Sequence, residues 1–198
     1  MFYACSEGHR LKHDPFRAIV APRPIGWIST VDGAGRGNLA PYSFFNALSA
    51  SPPIVGFSSE GRKDSLANVR ENGEFVVNLA TRAMADHMNE TSRAVPRGID
   101  EMAMSGLEGE ESRLVKPRRV RGSPAALECR LLQIIEIKDL RGVSSDRWFV
   151  VGQVVGVYIE DSFIKEGLFD LASARVIARC GYHDYAEVSE LFEMKRPV

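Results

Sequence analysis

The sequence predicts a mainly β domain with short helices, on three observations. Residues 23–59 read as strand, tight turn, strand, irregular segment and strand, which is a β meander. Two later runs, 126–138 and 148–159, are long and rich in β-branched and aromatic residues, and Gly152 and Gly156 within the second supply the bending a barrel needs. Helical periodicity is confined to short stretches, chiefly 64–72 and 81–88.

In chain order, residues 1–15 predict a turn or short helix leading into 16–20. Cys5, His9 and His13 are spaced to share a helix face, and one Cys with two His is a possible zinc set. Gly8 weakens that helix and a fourth ligand is missing, so no metal site is expected. Residues 25–31 are an apolar strand and 32–37, DGAGRG, are turn chemistry. Those glycines match neither dinucleotide nor P-loop spacing, and they join two strands, so a hairpin is expected in place of a phosphate loop. The irregular segment 38–43, NLAPYS, combines a proline with small residues that let a ligand approach the main chain.

A strand over 53–58 is followed by Ser58, Ser59, Arg62, Lys63 and Ser65, then by a helix capped by Asp64 or Ser65 and ended at Asn72-Gly73. Hydroxyls, cations and a helix N-terminus within one short stretch are what a phosphate monoester requires. Residues 74–79 form another strand, and 81–88 a helix with Thr81 as cap. Residues 89–124 lack clear periodicity and predict a long surface excursion. Its basic residues from Arg113 to Arg121 follow an acidic run and carry no interleaved aromatics, which marks a solvated loop.

The composition of 198 residues, 44% hydrophobic and 26% charged, suits one globular domain spanning 1–198. A net charge of −1 gives no footing for nucleic acid or an anionic membrane, so any anion must be held by a local site. Three scattered cysteines imply no disulfide framework and a reduced, cytoplasmic setting; no signal peptide or membrane-spanning run is present in the sequence. GxSxG, CxxC and HExxH are absent, and His183 beside Asp184 makes no triad. No catalytic protein residue is expected, and an enzyme built this way would borrow its reactivity from a cofactor.

Several linked motifs carry a resemblance: Arg23-Pro24-Ile25-Gly26-Trp27-Ile28-Ser29-Thr30, Asn38-Leu39-Ala40-Pro41-Tyr42-Ser43-Phe44-Phe45-Asn46, Ser51-Pro52-Pro53 and Lys63-Asp64-Ser65-Leu66-Ala67-Asn68. It continues through 73–79, 88–92, 123–129 and 152–155, nearly the whole chain. Together they resemble the flavin reductase-like family of FMN-binding split barrels. The resemblance implies a six-stranded antiparallel split barrel that forms a homodimer, with FMN at the subunit interface. It places Ser29, Thr30, Asn38, Leu39, Ala40, Pro41, Tyr42, Ser43 and Asn46 along the isoalloxazine and ribityl chain. Ser58, Ser59, Arg62, Lys63 and Ser65 would hold the phosphate, and Asn89, Thr91 and Ser92 would reach from the partner subunit. Gly181 and Tyr185 would lie near the open face of the flavin, with His183 between them departing from the family's small-residue pattern.

The activity so implied is NAD(P)H:flavin oxidoreductase, with NADH or NADPH as donor and an oxygenase as one possible recipient of reduced flavin. Two alternatives stand beside it. One is a flavoprotein with tightly held FMN for electron transfer or small-molecule oxidation; the other is a non-catalytic flavin-binding dimer.

Overall fold

The computed structural model describes residues 1–197. Its main sheet has seven strands: β1 (Gly26–Val31), β2 (Gly37–Tyr42), β3 (Phe45–Ala50), β4 (Pro53–Glu60), β5 (Glu74–Leu79), β6 (Ala125–Lys138) and β7 (Ser144–Ile159). Their order is β2-β1-β5-β6-β7-β4-β3, and every neighbouring pair is antiparallel. The β1–β2 turn is the expected hairpin. Asp32 Oδ1 accepts the amides of Ala34 and Arg36, both at 2.9 Å, and Gly35 takes φ +80°.

Strands β2 and β3 are neighbours in sequence and opposite edges of the sheet, joined only through Ser43 and Phe44. The Phe44 carbonyl accepts the Ser58 amide at 2.8 Å, tying this link to β4. The sheet therefore curls into a split barrel whose seam lies at two residues. Seven strands stand where six were expected, because 37–42 and 45–50 pair with different neighbours. The stretch 38–43 is also more regular than its composition suggests. Residues 37–42 pair throughout with β1, and Pro41 is tolerated because β2 is an edge strand and can spare a donor.

Alternation along β1 divides two cores. Ile28 joins Tyr42, Val55, Phe57, Phe75, Val77, Cys129 and Val150 inside the barrel, where Leu66 and Val69 of α1 (Asp64–Asn72) close one end. Trp27 turns the other way, into a cluster with Ile25, Leu39, Met88, Met102 and Ile177. Gly73 ends α1 at φ +72°, as expected. The cap differs: Lys63 occupies the N-cap position without a side-chain hydrogen bond, while Ser65 is turned inward toward Asn38.

The helix expected over 81–88 is a 3-10 turn (Arg82–Met84) leading into α2 (Ala85–Glu90), and Thr81 makes no side-chain cap bond. The excursion after it contains α3 (Glu101–Met104) and a short ladder of Gly109–Glu110 with Arg119–Val120. Both long strands run past their expected starts, and the β6–β7 register shifts beside Gly152 and Gly156. A small sheet joins Arg23–Pro24, Ile177–Arg179 and Tyr185–Glu187. Near the start, Cys5–Glu7 is one 3-10 turn; His9 packs on Tyr3 and His13 on Tyr182. Among the described residues no helix is long and apolar enough to cross a membrane.

Candidate functional site

A cavity of about 600 Å³ opens where β2, the seam and the start of α1 meet. Asn38, Ala40, Pro41 and Tyr42 form one wall, Ser43 and Phe44 the bend, and Ser58, Lys63 and Ser65 one end. Thr91, Ser92 and the segment 93–95 close the far side. The volume lies in the range of small-molecule and cofactor sites, roughly 300–1,000 Å³.

The end beside α1 brings together a helix N-terminus, Lys63 and the Ser58 and Ser65 hydroxyls. The first-turn amides of a helix have no intrahelical acceptors, and the helix dipole points its positive end there. Lys63 stands at that N-terminus and forms no ion pair among the described residues. The acidic neighbour Glu60 is engaged by Arg147 at 2.8 Å. Asp64 also lines the cavity.

Behind this end lies a buried polar chain. Thr30 Oγ1 accepts from Asn38 Nδ2 and Asn68 Nδ2, both at 3.1 Å, and Asn38 Nδ2 also donates to Ser65 Oγ at 2.9 Å. Ser65 thus spends an acceptor site on the scaffold and keeps its hydroxyl hydrogen free for an acceptor in the cavity. Tyr42 is 7% exposed, and its Oη has no hydrogen-bond partner among the described residues. Burial pushes its pKa up, and the nearby Ser65 and Ser59 hydroxyls pull it part of the way back without forming bonds of ordinary geometry.

Glu101 arrives from α3. It is 6% exposed, lines the cavity, and accepts the Leu39 amide at 3.0 Å through Oε2, satisfying a donor on the free edge of β2. Burial raises its pKa; the Leu39 N–H opposes that rise, and the charges of Asp64 and Asp100 add to it. On the far side Trp27 Nε1 donates to Thr91 Oγ1 at 2.9 Å, fixing the Thr91–Ser92 wall to the outer core.

Of the residues expected at a flavin, Asn38, Ala40, Pro41, Tyr42, Ser43, Ser58, Lys63, Ser65, Thr91 and Ser92 meet in this cavity. Ser29, Thr30, Leu39 and Ser59 are buried behind its walls: Ser29 Oγ donates to the Arg118 carbonyl at 2.6 Å, and Thr30 anchors the polar chain. Asn46 is exposed on β3, its side chain accepting the Ala47 amide, and Arg62 is exposed beside Lys63. Asn89 lines a second cavity, of about 570 Å³, on the other side of α2. Arg82, Arg179, His183 and Tyr185 line it too, while Gly181 packs against Ala18. Sequence reading missed Arg17, Phe44, Glu101 and Arg147 in the first cavity. Arg17, Glu101 and Arg147 are brought in by tertiary packing and carry no local motif, whereas Phe44 lies within the motif 38–46.

Residues 18–175 match the family described as the flavin reductase like domain. An uncharacterized protein of Deinococcus radiodurans is 34% identical over 192 residues, covering 90% of this chain and 82% of that protein. Among solved structures, nitrilotriacetate monooxygenase component B from Bacillus cereus superimposes with a TM-score of 0.88 at 26% identity, covering 98% of each chain. The Pseudomonas fluorescens 2-nitrobenzoate 2-nitroreductase gives a TM-score of 0.86 at 27% identity, covering 100% of this chain and 96% of that one. With its split barrel and a match extending from residue 18 to 175, this chain belongs to the flavin reductase-like domain family.

Proposed function

We propose that the 600 Å³ cavity binds FMN and that the protein is an NAD(P)H:flavin oxidoreductase. The observation that carries the reading is the anion-ready end of the cavity: the α1 N-terminus, the unpaired Lys63, and the Ser58 and Ser65 hydroxyls beside the polar wall of β2. Those groups fit a phosphate monoester, and the β2 wall offers the main chain of a free sheet edge to a flat ring with hydrogen-bonding edges. Bound FMN supplies the hydride-accepting ring.

The chain's own part is binding and orientation. Lys63 and the helix end neutralise phosphate; Asn38 and Thr30 hold Ser65 as a donor; Ala40 and Pro41 leave room for close approach. Such a reaction needs alignment and no protein base. We further propose a homodimer with the flavin at the subunit interface, Asn89 facing the partner while Ser92 lines the cavity of its own subunit.

The likeness to a monooxygenase component B supports delivery of reduced flavin to an oxygenase. A second reading draws on the likeness to a nitroreductase: FMN stays bound and a small organic molecule is reduced in place. Mixing the protein with FMN and either NADH or NADPH should bleach the visible flavin band. Bound FMN without turnover from either nicotinamide would sink the reductase reading. Flavin lost on dialysis favours delivery, and flavin retained favours reduction in place.

A further inference from the structure

Glu101 carries an ionisable group into the wall of the 600 Å³ cavity without a counter-charge. Its carboxylate is buried, accepts the Leu39 amide at 3.0 Å, and pairs with no cation among the described residues. One neutral N–H offsets little of what it costs to bury a carboxylate unpaired. Burial raises the pKa accordingly, the Leu39 amide opposes the rise, and Asp64 and Asp100 add to it.

The charges facing Glu101 from the elements around it are largely matched. On the cavity wall, Glu60 is held by Arg147 at 2.8 Å, and Arg93 by Glu90. Beside α3, Asp100 is held by Arg118 at 3.2 Å, and His87 meets the far end of the helix at the Ser105 carbonyl, 2.8 Å away. From β2 comes the buried phenol of Tyr42. What remains on the wall is Lys63 and Arg17 against Asp64 and Glu101. That set is neutral while both acids are ionised. A phosphate monoester adds roughly 1.5 to 2 negative charges at neutral pH, and protonating the buried acid relieves the repulsion.

We infer that Glu101 takes up a proton as the FMN phosphate enters the cavity, so that the ionised carboxylate opposes FMN and the neutral acid admits it. The inference rests on the flavin reading above. Asp64 is the poorer proton acceptor, because it stands in the first turn of α1, where the helix dipole favours its ionised form. The neutral Glu101 keeps an oxygen for the Leu39 amide and gains an O–H to donate into the cavity, so the edge of β2 is held in both states. Glu101 thereby loosens the hold on FMN as pH rises through its folded value.

The test compares wild type with Glu101→Gln, which keeps an acceptor for Leu39 and cannot ionise. Dissociation constants for FMN and riboflavin are measured by fluorescence titration from pH 5 to pH 8. The FMN ratio, wild type over variant, should climb from about one to about ten across that range, a decade in ligand affinity for a decade in proton affinity. Titration of the phosphate itself, near pH 6, is common to both proteins and cancels in the ratio. Riboflavin brings no phosphate, so its ratio should stay within about twofold. The wild type alone gives a second readout that needs no variant to fold. Calorimetry at pH 7 in two buffers of different ionisation enthalpy should show net proton uptake with FMN and none with riboflavin. An FMN ratio flat with pH, a riboflavin ratio that climbs as steeply, or FMN binding without proton uptake overturns the inference and leaves the flavin reading standing. Binding of neither flavin at any pH sinks the flavin reading and this inference with it.

Discussion

A single methyl group at Gly152 should test how the barrel interior supports the cavity. A Cβ placed there would lie 2.4 Å from Cζ and 2.5 Å from Cε1 of Phe75, with the Arg130 carbonyl at 3.2 Å on another side. Ordinary carbon contacts begin about 1 Å farther out, so something must move. Phe75 is fully buried and held edge-on to Phe57 at 5.5 Å between centroids, and Phe57 packs on Tyr42 at 4.8 Å. The ring cannot swing aside without disturbing that row, and the β6–β7 register is already shifted at Val151/Gly152. Overpacking of this kind costs about 1–3 kcal/mol. For a chain of this size each kcal/mol lowers Tm by roughly 2–4 °C, so Gly152→Ala should melt about 2–12 °C lower by circular dichroism. Because the row ends at Tyr42 on the cavity wall, FMN affinity should fall as well. Phe75→Leu in the same chain should recover part of the loss, a coupling of the kind adjacent residues show. A Tm within about 1 °C of wild type would refute the idea that Gly152 is there to admit the Phe75 ring.

Two more outcomes follow from the cavity. Lys63→Ala should weaken FMN by about tenfold in a fluorescence titration and leave riboflavin almost unaffected, because only the phosphate meets that charge; equal losses would place the phosphate elsewhere. Burial raises the pKa of Glu101 in the fold, so the wild-type protein loses stability as pH rises through that folded value, whereas below the unfolded value, about 4.3, the neutral acid carries no such penalty. Glu101→Gln keeps an acceptor for the Leu39 amide and cannot ionise. Calorimetry should therefore show a Tm gain at pH 8 that vanishes near pH 4, and a gain independent of pH would trace the effect to packing.

Much of this was readable from local chemistry. The Asp32–Gly37 turn, the Gly73 stop and the bends at Gly152 and Gly156 all follow from residues acting on their own backbone. The grouping at the α1 end of the cavity was legible for the same reason, since Ser58, Lys63 and Ser65 are close in sequence. What escaped depends on distant partners. Ser29 and Thr30 sit in the expected motif, yet alternation and packing turn them away from the cavity, toward Arg118 in one case and Asn68 in the other. Glu101 enters because α3 folds back onto the edge of β2, and no feature of EMAM announces that. Asp64 looked like a cap and is not one, because the inward pull of Asn38 on Ser65 sets how the helix begins.

The seam at Ser43 and Phe44 also bears on how the chain folds. The β1–β2 and β3–β4 hairpins are local and can form on a microsecond scale, about 1–10 μs each. They belong to opposite edges, however, and β4 finds its other neighbour only when Glu60 meets Arg147 far along the chain. Closing so long a loop is entropically costly and comes late. The cavity straddles both hairpins, so it exists only once that last pairing is made. Ligand capture would then mark the end of folding, and a flavin added to refolding protein would report barrel closure in real time.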